Sequence, residues 1–349
     1  MAREQAIAML SEERSVFRIH GVPVALRCEH EGALKRINDH LKVYRVSGPE
    51  VPSPSLEVDI RYGSRIYPVP LHAKRVLLYE SIRCYYLGGI MYFTDFFSTL
   101  TVERGGARVY GNLSPDTIKD FGLNPFVDLL LTLTLFEALR FHGLYYLHAS
   151  ALEGTDGTSY VISGNAGSGK TTLTISLILA GWKYLSDDTV FMRLCGDRDV
   201  EVLGFARDFH LPSDLIRDTE LLKRFKDLPD YCPRRGRKLL APEQWFPGQR
   251  LDGFLNPRVL LFPGIRGQDS GVRPLSMAES LKELLPQSLA VMFNPETAPS
   301  HLEALKRMVG RGRAFRLVAG PEVKGDPAAA VKLVETARDM AKDRAGTRP

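Results

Sequence analysis

Residues 164–171 read Gly-Asn-Ala-Gly-Ser-Gly-Lys-Thr, and no other run in the chain restricts the fold so tightly. The spacing G-x-x-x-x-G-K-[ST] is that of a phosphate cradle, the P-loop pattern. Its glycines reach backbone conformations closed to other residues and let N–H groups close on phosphate oxygens. The helix that follows turns its positive end to the anion. Lys170 supplies a cation to the β- and γ-phosphates, and Thr171 a hydroxyl for Mg²⁺. The flanks fit: Ser159–Ser163 is β-prone, and Thr172–Ala180 is apolar enough for a buried helix that Gly181 stops. Strand, glycine-rich loop and helix predict binding of a nucleoside triphosphate through Gly164, Asn165, Ala166, Gly167, Ser168, Gly169, Lys170, Thr171 and Thr172.

One helix further on, Trp182–Leu185 reads as a strand with Asp187 and Asp188 at its end. Ligands of open α/β sheets sit beyond the carboxyl ends of strands. Two adjacent carboxylates there can divide the labour: one holds a metal, the other accepts a proton from an incoming hydroxyl. Two solvated turn aspartates would look the same in isolation; the cradle just upstream favours the chemical reading. His148, in Leu147-His148-Ala149-Ser150, precedes the cradle strand and by itself reads as a core or turn residue whose position could bring it near the phosphates.

Upstream, Val16–Arg27 alternates around a Gly21-Val22-Pro23 turn and predicts a hairpin. Leu34–Val43 has helical spacing, and Glu50–Pro54 reads as a linker. Short strand-like runs follow at Leu56–Tyr62, Arg75–Leu78, Arg83–Leu87, Ile90–Phe93, Leu100–Glu103 and Arg108–Tyr110. They predict an antiparallel, β-rich N-terminal domain over residues 1–123, for partner recognition or support. Asn124-Pro125 opens a helix to about His142 and, with it, an α/β domain over residues 124–340. Further helices are expected over Asp214–Phe225, Met277–Leu285, Ser300–Gly310 and Pro327–Met340, and strands over Val259–Phe262 and Ala314–Val318. Residues 341–349 read as a charged, flexible tail. Arg234-Arg235-Gly236-Arg237-Lys238 reads either as a lid that brings cations to a transferring phosphoryl group or as a solvated loop. Arg207 could face the nucleotide.

The balance of 46 Lys and Arg against 41 Asp and Glu leaves +5, too weak and too dispersed for a nucleic-acid partner. The longest apolar stretch, Phe126–Leu139, is broken by Asp128 and Glu137 and is too short to span a bilayer. The first residues lack the layout of a signal peptide. Cys28, Cys84, Cys195 and Cys232 form no C-x-x-C pair and read as thiols of a reducing compartment. A cytoplasmic protein with no membrane partner is expected.

The stretch Leu147–Phe191 as a whole resembles the HPr serine kinase/phosphorylase family and its looser P-loop relatives. The resemblance rests on His-Ala-Ser-Ala-Leu, a turn around Gly154 and Gly157, the cradle, and Gly-Trp-Lys-Tyr-Leu-Ser-Asp-Asp-Thr-Val. The short spacing from cradle to Ser-Asp-Asp separates this group from Ras-like and ABC-type NTPases. It is also similar to the nucleotide-binding core of phosphoenolpyruvate carboxykinases. A looser similarity extends over Leu284–Val334.

That resemblance implies an α/β fold of the HPr-kinase-like type, with ATP and Mg²⁺ as cofactors and transfer of the γ-phosphoryl group to a serine hydroxyl of a peptide or protein. It implies Asp187 as general base, His148 as the family's histidine before the cradle strand, and Asp188 and Glu201 with Thr171 as metal ligands. Hexamers occur among such relatives, so a homo-oligomer is compatible, although no residue pattern specifies one. The segment Gly204–His210 departs from the Gly-rich signature of the true HPr kinases, as does the N-terminal region. The resemblance therefore points to the relatives linked to peptide-modification systems, including lasso-peptide serine kinases, rather than to HPr as acceptor. A phosphorylase or phosphatase of the same fold, a non-catalytic ATP-binding sensor or assembly factor, and a small-molecule kinase remain as alternatives.

Overall fold

The computed structural model describes residues 14–46, 53–64, 67–232, 236–264, 269–288, 294–320, 323 and 326–343. The chain is mixed α/β, and among these residues its strands form sheets of eight, six, four and three. Packing divides it into two units, Met1–Leu144 with Met292–Pro299, and Tyr145–Val291 with Ser300–Pro349. The division falls after Leu144 rather than at residue 123, because the helix that was expected to open the second domain packs on the sheet of the first.

In the first unit, β1 (Ser15–Ile19) and β2 (Val22–Cys28) form the expected hairpin. Its turn is His20-Gly21, at φ of 48° and 96°, one residue ahead of the expected place. Helix α1 (Glu31–His40) starts where the His30 ring accepts a hydrogen bond from the Ala33 N–H. Strands β3 (Leu56–Tyr62), β4 (Lys74–Tyr79), β5 (Ile82–Leu87), β6 (Ile90–Thr94), β7 (Thr99–Val102) and β8 (Arg108–Leu113) complete a sheet ordered β1-β2-β3-β8-β7-β6-β5-β4. It is not wholly antiparallel: β3 runs parallel to both β2 and β8. The crossover through α1 forces the first of these pairings, since parallel neighbours cannot be joined by a tight turn. The expected linker lies mostly outside the described residues. A turn of π-helix, Phe126–Leu131, leads into α2 (Thr132–Arg140), whose Ala138 and Leu139 are fully buried.

In the second unit, β9 (Tyr145–Leu147), β10 (Ala149–Glu153) and β11 (Ser159–Ser163) lead to α3 (Lys170–Leu179). Strands β12 (Lys183–Ser186), β13 (Val190–Cys195) and β14 (Asp199–Gly204) follow. A small sheet then pairs β15 (Phe209–Pro212) and β16 (Asp230–Cys232) with β17 (Arg237–Leu240). A short helix, Ser213–Asp218, and a 3₁₀ stretch, Glu220–Phe225, stand where one helix over Asp214–Phe225 is expected, and a helical turn spans Pro242–Trp245. After these come β18 (Phe254–Leu255), β19 (Val259–Gly264), β20 (Gly271–Pro274), α4 (Met277–Leu284), α5 (Ala298–Arg311), β21 (Arg313–Val318) and α6 (Pro327–Asp343). The tail expected from residue 341 is thus helical to Asp343; residues 344–349 lie outside the described ones.

The six-stranded sheet runs β12-β10-β11-β19-β21-β20, and the four-stranded one β18-β14-β13-β9. Strands β11, β19 and β21 are parallel. β11 and β19 bury both faces, which explains the apolar runs Tyr160–Ile162 and Val259–Phe262, while β21 keeps Arg313 and Arg316 half-buried. Tyr160 and Ile162 pack with Leu173 and Leu177 of α3 and Val334 of α6. Val161 packs the other way, with Phe262 and with Leu305 and Met308 of α5. The chain crosses from the four-stranded sheet to the six-stranded one at His148, and back again over Asp187–Thr189. Leu147 pairs with Val190 on one side of this gap, and Ala151 with Ser186 on the other, in one continuous antiparallel register. That register places residues 148–150 opposite residues 187–189.

Candidate functional site

The loop 164–169 joins a strand directly to a helix. It leaves β11 at Ser163 and enters α3 at Lys170. Gly167 and Gly169 stand at φ of 77° and 91°, a region other residues enter only under strain. The Ser168 N–H donates to the Asn165 carbonyl at 3.0 Å and closes the turn. No side chain caps α3, and its first turn carries no acidic residue. Its leading N–H groups therefore remain available to an anion. Asn165, Ala166 and Gly167 are exposed, whereas Lys170 is 6% exposed.

The double crossing between sheets brings the other polar groups to the end of Lys170. Its Nζ donates to Asp188 Oδ1 at 2.6 Å. His148 Nδ1 lies 3.2 Å from the same oxygen, and the Arg207 guanidinium donates to Asp188 Oδ2. Burial works against the Asp188 charge, but Lys170, His148 and Arg207 outweigh it and hold the carboxyl well below its ordinary value. Burial lowers His148 to about 4; Asp188 opposes this and Lys170 and Arg207 add to it, so the imidazole is neutral at pH 7.

Asp187 differs from its neighbour. It is 3% exposed, and burial raises its carboxyl to about 6, with Lys170 opposing, the charge of Asp188 adding, and Arg207 and Ser150 opposing. The Ser150 hydroxyl donates to the Asp187 carbonyl and lies 3.5 Å from Oδ1. Ser150 in turn accepts from Thr174 of α3 at 2.9 Å. Two adjacent carboxyls thus have opposite protonation behaviour, one fixed as an anion and one able to exchange a proton near neutral pH.

Gly204 explains how Arg207 arrives. A Cβ there would stand 2.3 Å from the Leu185 carbonyl oxygen, so only glycine lets the end of β14 lie against the strand leading to Asp187. Beyond it, a shallow depression of about 310 Å³, part of it open solvent, is lined by Asp187, Asp188, Phe205, Arg207, Glu243 and Arg250 among others. Glu243 and Arg250 pair with each other at 3.0 Å.

Of the expected metal ligands, Asp188 is in the cluster, and Thr171 follows the lysine that touches it. Glu201 is placed elsewhere. The pairing of Val190 with Gly204 puts Gly204 at the site end of β14, so Glu201 stands three residues, roughly 10 Å, along the strand. Its carboxylate binds the Arg193 guanidinium, at 2.9 and 2.6 Å. Of the basic run, residues 233–235 lie outside the described residues; Arg237 and Lys238 belong to β17, and Lys238 pairs with Asp230 at 2.9 Å. Among the described residues no group of three or more His, Cys, Asp and Glu forms a metal cage. Mg²⁺ does not need one: it keeps most of its water and takes one or two carboxylates with phosphate oxygens, a set that Asp188, held as an anion, fits.

Sequence reasoning missed Ser150, Thr174 and Gln287. The first two carry a faint signal: Ser150 stands two residues beyond His148, and Thr174 lies one turn past Thr171 on the same helix face. Gln287 carries none. Its Nε2 donates to Asn165 Oδ1 at 2.6 Å across 122 residues of sequence, and its carbonyl accepts from the His148 N–H at 2.9 Å.

No family model matches the chain, and no curated protein matches its sequence. Among solved structures, the HPr(Ser) kinase/phosphatase from Coxiella burnetii is similar at a TM-score of 0.33 and 11% identity, over 58% of this chain and 95% of that one. No helix among the described residues is long and apolar enough to cross a membrane.

Proposed function

We propose that the protein is an ATP- and Mg²⁺-dependent kinase that transfers the γ-phosphoryl group to a serine hydroxyl of a peptide or protein. The observation that carries this reading is the division of labour between Asp187 and Asp188 beside Lys170. Triphosphate binding alone has no role for a second carboxyl next to the one that Lys170 contacts, whereas a kinase uses such a group to accept the proton of the attacking hydroxyl.

The cradle N–H groups and Lys170 bind the triphosphate, with Lys170 exchanging Asp188 for phosphate oxygens. Asp188 and Thr171 would hold Mg²⁺, which supplies charge neutralisation of the phosphates. Asp187, ionised, accepts the proton as the acceptor oxygen attacks the γ-phosphorus and ADP leaves. The Arg207 guanidinium, which contacts Asp188, would neutralise charge on the equatorial oxygens. The acceptor approaches from the depression beyond Asp187. Near pH 6 a good part of Asp187 is protonated, which also suits the phosphorylase direction, in which inorganic phosphate attacks a phosphoserine, pyrophosphate forms, and Asp187 gives its proton to the departing serine oxygen.

The test is transfer of label from γ-³²P-ATP with Mg²⁺ to a panel of serine-containing peptides, with the Asp187→Asn protein as control. Label on serine with the wild type alone supports the reading. Tight ATP binding without transfer to any acceptor would favour the sensor.

A further inference from the structure

Asn165 and Lys170, near the two ends of the cradle, are joined by a second route. Lys170 contacts Asp188, Asp188 contacts His148, the His148 N–H donates to the Gln287 carbonyl, and the Gln287 side chain donates to Asn165. Gln287 is 7% exposed and lies in a turn of 3₁₀ helix, Leu285–Ser288, directly after α4. It is the one member of this ring that reaches the cradle from outside the Leu147–Phe191 stretch.

The direction of its bond has a consequence. Because Gln287 Nε2 donates to Asn165 Oδ1, the Asn165 amide is fixed with its oxygen toward Gln287. That bond engages Oδ1 and leaves the Nδ2 group, with two hydrogens, out of it, on a residue that is itself exposed. An amide turned this way offers donors to an anion; turned over, it would offer an acceptor. We infer that Gln287 is a positioning residue for nucleotide binding, which sets the Asn165 amide so that it donates to the phosphates. This rests on the nucleotide-binding reading above. Its effect belongs in affinity for the nucleotide and not in the rate of transfer, since Asn165 stands at the far end of the loop from Lys170 and Asp187.

The test is equilibrium titration of ADP and ATP, with Mg²⁺, into the full chain and three variants. Gln287→Met keeps the length and the backbone bond to His148 but removes the amide. It is expected to weaken nucleotide binding about tenfold, the worth of a charge-assisted hydrogen bond, with the melting temperature within a few degrees. In an Asn165→Ala background the same substitution should change the dissociation constant by less than twofold, because the residue it acts through is gone. Gln287→Glu should be worse than Gln287→Met, since a carboxylate accepts from Asn165 Nδ2 and turns the amide over.

Equal binding by Gln287→Met and the wild type, or additive effects in the Asn165→Ala background, would overturn the inference and leave the nucleotide reading intact. Failure of the wild type to bind either nucleotide would overturn both.

Discussion

Lys170 Nζ rests 2.6 Å from Asp188 Oδ1, with Arg207 on the other carboxylate oxygen. An arriving phosphate must share or displace that carboxylate. Asp188→Asn should therefore have two opposite effects. Lys170 and Arg207 lose their shared counter-ion, and stability should fall by about 2 kcal/mol, less than the ~3–5 kcal/mol of an enclosed pair because Asp188 keeps 28% of its side-chain exposure. Competition for Lys170 is relieved, so metal-free ADP should bind up to about tenfold more tightly. Urea unfolding and titration of ADP in chelator measure the two.

Asp187→Asn should leave nucleotide affinity within about twofold and lower transfer by about 10²–10⁴, the usual worth of a general base. The pH dependence follows from the raised carboxyl. A base acts only when ionised, and Asp187 is protonated below about 6. The wild-type kcat/KM should then rise with pH through that value and level off above it. The residual activity of Asp187→Asn should lack this limb.

Gly204→Ala should disable the site from outside it. The added methyl meets backbone, not a flexible side chain, so the strand has to move. The cost should reach or exceed the upper end of the ~1–3 kcal/mol typical of overpacking. Arg207 should be displaced with the strand, and loss of transfer at temperatures where the variant is still folded is the measurement.

Arg250→Ala should raise the KM for a peptide acceptor by about 3–10-fold and leave kcat and nucleotide affinity unchanged, the pattern of lost ground-state binding. An increase in the KM for ATP instead would place the depression on the nucleotide side. Steady-state kinetics with each substrate varied separate the two.

The parts of the site that were legible in the sequence are those whose chemistry sits in consecutive residues. The cradle is one run, and Ser186-Asp187-Asp188 follows it after a single helix and strand. Glu201 shows where reading along the chain fails. It has the right charge on the right strand, but strand register decides which residue reaches the site, and that residue is Gly204. Gln287 could not be found at all, because its two bonds are fixed by how α4 packs, not by any local pattern. The first sheet gives the same lesson. Its strands were each readable, yet the parallel placement of β3 depends on the α1 crossover. The helix at Asn124 was legible as a helix, but its allegiance to the first unit was not.

The passage of the chain between two sheets at His148, and again over Asp187–Thr189, means that His148, Asp187 and Asp188 are carried at a seam and not within a ladder. The two sheets share one apolar core, where Val161 and Leu185 of the six-stranded sheet meet Val190 and Met192 of the four-stranded one, and the six-stranded sheet buries its other face in a second core around Tyr160 and Trp182. A seam transmits shear. Removing a methylene from either core can slide one sheet against the other by a fraction of an ångström, and that displacement is concentrated on the few backbone atoms that bridge them. The protein should thus be unusually sensitive, in rate more than in stability, to conservative core substitutions far from any phosphate.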